Sequence, residues 1–159
     1  MVTMEAGSNL VDCSLMLLED REDIDKAWPF VESVLHRKPF GITDYVSIDG
    51  IKDMVYKGEM QLWIAGYNKG KGVEVRICML TCFLTYQKRK VLFISYVGGG
   101  GLRGYINAWP HIRDYALSRD ATHIEMHGRK GWERFSSILG FKQTSINYSV
   151  PIHNRKELH

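Results

Sequence analysis

Cysteine is scarce in this chain: Cys13, Cys78 and Cys82 are the three among 159 residues. An odd count with no repeated spacing excludes a disulfide framework and suits a reducing compartment. Cys78 and Cys82 stand four apart in a strand-like stretch, on one face but too far along it to bond each other, which leaves core packing as their role. No second paired motif accompanies them, so no metal site is expected. An excess of one charge is also lacking. The 21 basic and 18 acidic residues leave a net charge of +3, and the basic ones are scattered apart from Lys88-Arg89-Lys90 and Arg129-Lys130. That balance does not call for a nucleic-acid partner. No apolar run approaches the roughly 20 residues needed to cross a bilayer, so no membrane partner is expected. Met1–Asn9 is polar and has no basic stretch ahead of an apolar core, so no secretory signal is read there. Internal repeats and low-complexity segments are missing. The chain reads as one cytoplasmic domain, 1–159, with flexible ends at 1–9 and 154–159.

What is present is an ordinary globular composition, 45% hydrophobic and 25% charged, whose periodicity changes along the chain. Val11–Leu18 reads as a first strand. Asp23 can cap a helix over Asp23–Arg37, with Ile24, Ala27, Trp28, Val31, Val34 and Leu35 at helical spacing and Pro29 weakening its start. A second helix starts at Thr43 or Asp44 and stops at Gly58. Met60–Tyr67, Val73–Thr85 and Val91–Val97 are strands joined by a hairpin signal at 68–72 and a turn at Tyr86–Lys90, which makes an antiparallel meander. After Gly98-Gly99-Gly100-Gly101, the spacing of Ile106, Trp109, Ile112, Tyr115 and Ala116 predicts a helix. Thr122–His127 alternates as a strand, Gly131–Leu139 is a short helix stopped by Gly140, and Phe141–Ile152 is a last strand. The order β-α-α-β-β-β-α-β-α-β predicts an α+β fold. Its central sheet is mixed and mostly antiparallel, with helices on both faces and a parallel crossover between Val91 and His127. Trp28, Trp63, Trp109 and Trp132 all fall on apolar patterns and are expected in the core, Trp132 with an alternative role as an exposed contact.

The glycine run is the first candidate site. Glycines let backbone amides approach an anion, and a helix N-terminus adds partial positive charge. Pro110 bears on the register. It is tolerated in a helix's first turn and not in its interior, so the helix is expected to begin near Ile106–Ala108, several residues past the glycines.

This element order resembles the GNAT superfamily of acyl-CoA-dependent N-acyltransferases over nearly the whole chain. The family holds its cofactor pyrophosphate in the loop after its fourth strand and splays that strand from the next to admit pantetheine. By resemblance, those parts are Val91–Val97, Gly98–Tyr105, Ile106–Arg119 and Thr122–His127. Leu139-Gly140-Phe141 resembles the family's closing Gly-Phe. Gly128-Arg129-Lys130-Gly131-Trp132-Glu133-Arg134 is similar to short GNAT-like proteins encoded by tailed phages. The resemblance implies acetyl-CoA as cofactor, bound through Val97, Gly98, Gly99, Gly100, Gly101, Arg103 and Gly104. It also implies direct acyl transfer to an amine acceptor.

Two positions depart from the family pattern. Arg103-Gly104-Tyr105-Ile106-Asn107-Ala108 keeps the first and last residues of the family's phosphate loop but has Ile106 in place of the central glycine. Ser136 stands where many members carry the tyrosine that protonates the leaving thiolate; Tyr148 and Tyr105 are the nearby alternatives. An amine acceptor must lose a proton before it attacks. Glu125 and His127, two apart on one face of their strand with His123, are the candidate pair; a solvated outer face is the other reading. The departures imply an alternative function: a non-catalytic GNAT-shaped accessory or structural component with a protein partner, in a phage virion or host interaction. Its location would then be host cytoplasm or virion. Val73–Thr85 and the last strand offer edges for a homodimer, which nothing in the sequence requires.

Overall fold

The computed structural model describes residues 3–5, 15–37, 42–69, 72–100, 102–127 and 133–152. Its internal contacts divide the chain into residues 1–128 and 129–159. The first unit holds a sheet in the order β2-β3-β4-β5-β6, formed by Leu15–Leu18 (β2), Gln61–Lys69 (β3), Gly72–Thr85 (β4), Lys90–Gly99 (β5) and His123–Met126 (β6). Every pairing in it is antiparallel except β5 with β6. A short strand, Thr3–Glu5 (β1), read from sequence as part of a flexible end, pairs with β4 at Gly72–Glu74. β3 occupies the other edge of β4 there, so β1 lies in line with β5, past the point where β5 ends.

Helix α1 (Arg21–His36) follows β2 and buries Ile24, Ala27, Trp28, Val31, Val34 and Leu35, the positions that its periodicity selects. They pack with Leu18, Leu62, Ile64, Val75, Cys78 and Leu80 of the sheet. Each such side chain contributes about 1.5–3 kcal/mol by leaving water, which together exceeds the roughly 3 kcal/mol that Pro29 costs inside the helix. The helix therefore runs through Pro29, beginning at Arg21 with Asp20 as its N-cap and not with Asp23. Helix α2 (Ile48–Tyr56), by contrast, starts later than its sequence suggests. Ile42–Asp44 forms a separate turn of 3-10 helix, and Ser47, in extended backbone, accepts the Gly50 amide at 3.0 Å as the true cap. Gly58 follows its end, as expected.

Helix α3 spans Leu102–Ser118 and covers the other sheet face. It buries Ala108, Ile112 and Ala116 and sets the Tyr115 ring edge-on to Trp63 at 4.9 Å. Beneath it, Trp63 Nε1 donates to Thr81 Oγ1 and Thr81 Oγ1 donates to Gln61 Oε1, each at 3.0 Å, so the buried hydroxyl is satisfied. The expected helix start near Ile106–Ala108 is corrected here. The helix begins at Leu102 and holds Pro110 in its interior, because its buried stripe offsets the lost rung, as in α1. No helix among the described residues is long and apolar enough to cross a membrane.

In the second unit, Glu133–Ile138 forms α4 within the predicted 131–139, of which 131–132 lie outside the described residues, and Gly140 follows it. Residues 141–152 form neither helix nor strand, although a strand is predicted there. Their alternation of Ile146, Tyr148, Val150 and Ile152 with polar residues is a real strand pattern, but these side chains are largely exposed and no ladder takes them up. The motif residues 128–132, including Trp132, and Cys13 and Gly101 lie outside the described residues.

Candidate functional site

The site grows from the register of β5. Its first half pairs on both edges: with β4 from Thr85↔Lys90 to Thr81↔Ile94, and with β6 from Val91↔His123 to Ile94↔Met126. The β4 register then jumps from Ile94 to Tyr96, opposite Leu80, so Ser95 is an extra residue, a β-bulge. The β6 pairing stops at the same place. β5 continues to Gly99 with β4 alone beside it among the described residues, which leave out 128–132, the segment that follows β6. Among the described residues the β5–β6 pairing thus ends near where the sequence reading expects the two strands to part.

The register also fixes which side chains face this opening. Cys82 packs against the α1 cluster and sits opposite Phe93, which sits opposite Glu125. Phe93 and Glu125 therefore lie on the α1 side of the sheet, and strand alternation adds His123. The His127 ring meets Phe93 edge-on at 5.0 Å, so it stands on that side too. Cys82 Sγ is 3.6 Å from Ser95 Oγ, and Tyr96 donates its hydroxyl to the Val34 carbonyl of α1 at 3.0 Å. Ser95 and Tyr96 thus both lean toward α1, a consequence of the bulge that alternation alone does not foresee.

The predicted residues fare differently. His127 is exposed at the parting. Glu125 is in an ion pair with Arg89 Nη1 at 2.8 Å. Tyr148 is 89% exposed and belongs to the 129–159 unit. Val97 and Gly98 continue β5 opposite Met79 and Cys78. Gly98 lies under α1, where a Cβ would fall 2.1 Å from Val34 Cγ1 and 2.7 Å from the Tyr96 hydroxyl. Gly99 has φ +106°, and a Cβ there would fall 2.0 Å from the Arg76 carbonyl oxygen. Packing and backbone geometry account for both glycines without any ligand. Gly100 donates its amide to Arg76 O at 3.0 Å, so that amide is taken, while its Cβ position is open.

The helix start at Leu102 shifts the register in which the sequence reading expects an anion. The amides of a helix's first turn have no intrahelical carbonyl, and here they belong to the backbone around Leu102, Arg103 and Gly104. Ile106, feared from sequence to crowd the cradle, lies beyond that turn. The glycines adjoin the positive end of α3 instead of standing several residues upstream. From Gly98 back to Phe93 is roughly 17 Å of strand at 3.3–3.4 Å per residue. An elongated ligand along the open edge would thus have one end at the helix and the other near Phe93 and His127.

Tyr96, Ser95 and Phe93 were not singled out from sequence. Nothing in an apolar run such as Val91–Val97 marks where a bulge falls. A tyrosine two residues before a glycine was the one available signal. Among other titratable groups, burial pushes the Cys78 thiol up to about 12, which leaves it protonated and inert. No group of three or more metal-ligating side chains occurs among the described residues.

Solved acetyltransferases share this fold. A probable acetyltransferase superposes with a TM-score of 0.67 at 11% identity, over 89% of this chain and 99% of that one. An acetyltransferase of Trypanosoma brucei gives 0.61 at 12% identity, over 87% of this chain and 98% of its own. The ribosomal-protein-alanine N-acetyltransferase of Brucella melitensis biovar Abortus 2308 gives 0.61 at 9% identity, over 87% and 99%. No family model and no curated protein matches the chain in sequence. At these identities the likeness is one of fold: a GNAT-like mixed α+β sheet with helices.

Proposed function

We propose that the chain is an acyltransferase of GNAT type, moving an acyl group from an acyl-CoA, with acetyl-CoA the first candidate, to an amine. The observation that carries this reading is the end of the described β5–β6 pairing at the Ser95 bulge, with helix α3 starting three residues beyond the end of β5. The residues present fit such a cofactor. The open edge of β5 offers unpaired backbone groups to the amides of a pantetheine arm. The first-turn amides of α3, the Val97–Gly101 stretch and the charge of Arg103 would hold the phosphates. When bound, the cofactor supplies an activated acyl thioester.

The chain's own residues then handle protons. His127, exposed beside Phe93, is the better-disposed base for the incoming amine, since Glu125 is engaged by Arg89. Tyr148 remains the candidate for protonating the departing thiolate. Transfer is direct, in keeping with a buried Cys78 thiol held protonated. A second reading, a non-catalytic GNAT-shaped component that binds a protein partner, draws on the Arg89–Glu125 pair and on Ser136 at the family's tyrosine position.

Calorimetric titration with CoA and acetyl-CoA tests the first reading. Binding in the micromolar range is expected. Leu102→Pro is tolerated at the first position of a helix but deletes one amide, and should weaken binding about tenfold. No binding at millimolar CoA would refute the acyltransferase reading. Binding without transfer to any of a panel of primary amines would favour the second.

A further inference from the structure

The contact between α1 and the open half of β5 has a role beyond packing. The Val34 carbonyl accepts two bonds, from the Arg37 amide at 3.1 Å and from the Tyr96 hydroxyl at 3.0 Å. The first closes the last turn of α1; the second joins that turn to β5 one residue past the bulge. The phenol fits there because residue 98 is glycine: a Cβ would stand 2.7 Å from the hydroxyl and 2.1 Å from Val34 Cγ1. The three positions form one junction, a hydroxyl, a carbonyl and a missing side chain. It lies on the sheet face that also carries Phe93, Glu125 and His127, the face from which an acceptor must approach these proton-handling groups.

We propose that Tyr96 is a positioning residue that couples occupation of the open edge of β5 to the last turn of α1. This rests on the acyl-CoA reading above. A ligand lying along residues 95–99 restrains the backbone that carries Tyr96. The Tyr96–Val34 bond passes that restraint to the end of α1, and so to the wall of the acceptor approach. Residue 98 is limited to glycine because any side chain would force the hydroxyl and Val34 apart.

Hydrogen exchange read by mass spectrometry, with and without saturating CoA, tests the coupling. In the wild type CoA should slow exchange at residues 34–37 by roughly tenfold, the scale of one hydrogen bond made persistent. Tyr96→Phe keeps the ring and loses the hydroxyl. It should bind CoA within about threefold of wild type and lose the slowing at 34–37 while keeping it along 95–99. Gly98→Ala, folded by circular dichroism, should reproduce that uncoupling by steric means. Equal protection of 34–37 in wild type and Tyr96→Phe would overturn the coupling while leaving the acyl-CoA reading intact. Failure of the wild type to bind CoA in the calorimeter would overturn that reading and the coupling with it.

Discussion

The two halves of β5 have similar residues and opposite surroundings. Residues 91–94 have a strand on each side, and Val91 and Leu92 are fully buried. Residues 95–99 keep only β4 among the described residues, yet Val97 and Gly98 are no more polar than the closed half. The difference comes from one extra residue, Ser95. A bulge bends its strand and increases its twist, and this one falls where the described β5–β6 pairing ends, without any change in composition. The end of the described pairing thus follows from backbone register, and the side chains around it are placed by that register.

The closed half should be the more expensive to damage. Leu92→Ala removes a side chain with no exposure, and a loss of about 3–4 kcal/mol is expected, read as a fall in melting temperature of roughly 10 °C. The open half should respond at one residue and not at the next. Gly99→Ala puts a side chain at φ +106° and against the Arg76 carbonyl, for about 2–3 kcal/mol. Gly100→Ala meets open space and should stay within about 0.5 kcal/mol in a denaturant titration. Equal costs at 99 and 100 would mean that the end of β5 is not held against β4 in this way.

Thiol labelling sharpens the contrast further. Cys78 lies opposite Gly98 in the open half, and Cys82 opposite Phe93 in the closed half. If the open half were open on its face, Cys78 would be the faster to react. It is buried and its thiol is pushed up to about 12, so the opening lies along the strand edge only. Peptide mapping after iodoacetamide at pH 8 should find Cys82 modified well before Cys78. The sign of the linkage agrees: a raised folded value gives stability fully present below the thiol's ordinary value of 9.0 and lost as pH rises toward about 12.

Much of this was legible in the residues. The element order, the meander and the parallel β5–β6 unit followed from periodicity and turn chemistry, because those signals are local. The shared face of His123, Glu125 and His127 followed from strand alternation. The helix starts did not. Pro29 and Pro110 argue locally for helix ends, yet both sit in helix interiors because buried stripes on α1 and α3 outweigh them, and that is a tertiary effect. Misplacing the start of α3 moved the anion cradle onto Ile106. With α3 beginning at Leu102, the expected cradle would fall at the turn beside the glycines, two of which packing requires in any case. The bulge at Ser95 was invisible, since a register shift depends on two strands at once. The segment 141–152 shows the converse, a strand pattern in sequence with no ladder to realise it.

A small expected effect bears on what closes the closed half. Arg89 and Glu125 link the β4–β5 turn to β6 at 2.8 Å, with side chains 43% and 37% exposed. At such exposure an ion pair contributes about 0–1 kcal/mol, because water screens it and two long side chains must be ordered to make it. Arg89→Ala should therefore lower stability by less than about 1 kcal/mol, and raising the salt from about 0.05 M to about 0.5 M should erase most of the difference. A cost above about 2 kcal/mol that survives salt would mean that charge, and not the buried Val91–Leu92 core, keeps β6 on β5. Freeing Glu125 also makes it available as a second proton acceptor beside His127. Under the acyltransferase reading, the same variant should then keep or raise its transfer rate while losing little stability. A strong fall in rate with unchanged CoA affinity would instead give the Arg89–Glu125 pair itself a part in holding the proton-handling face.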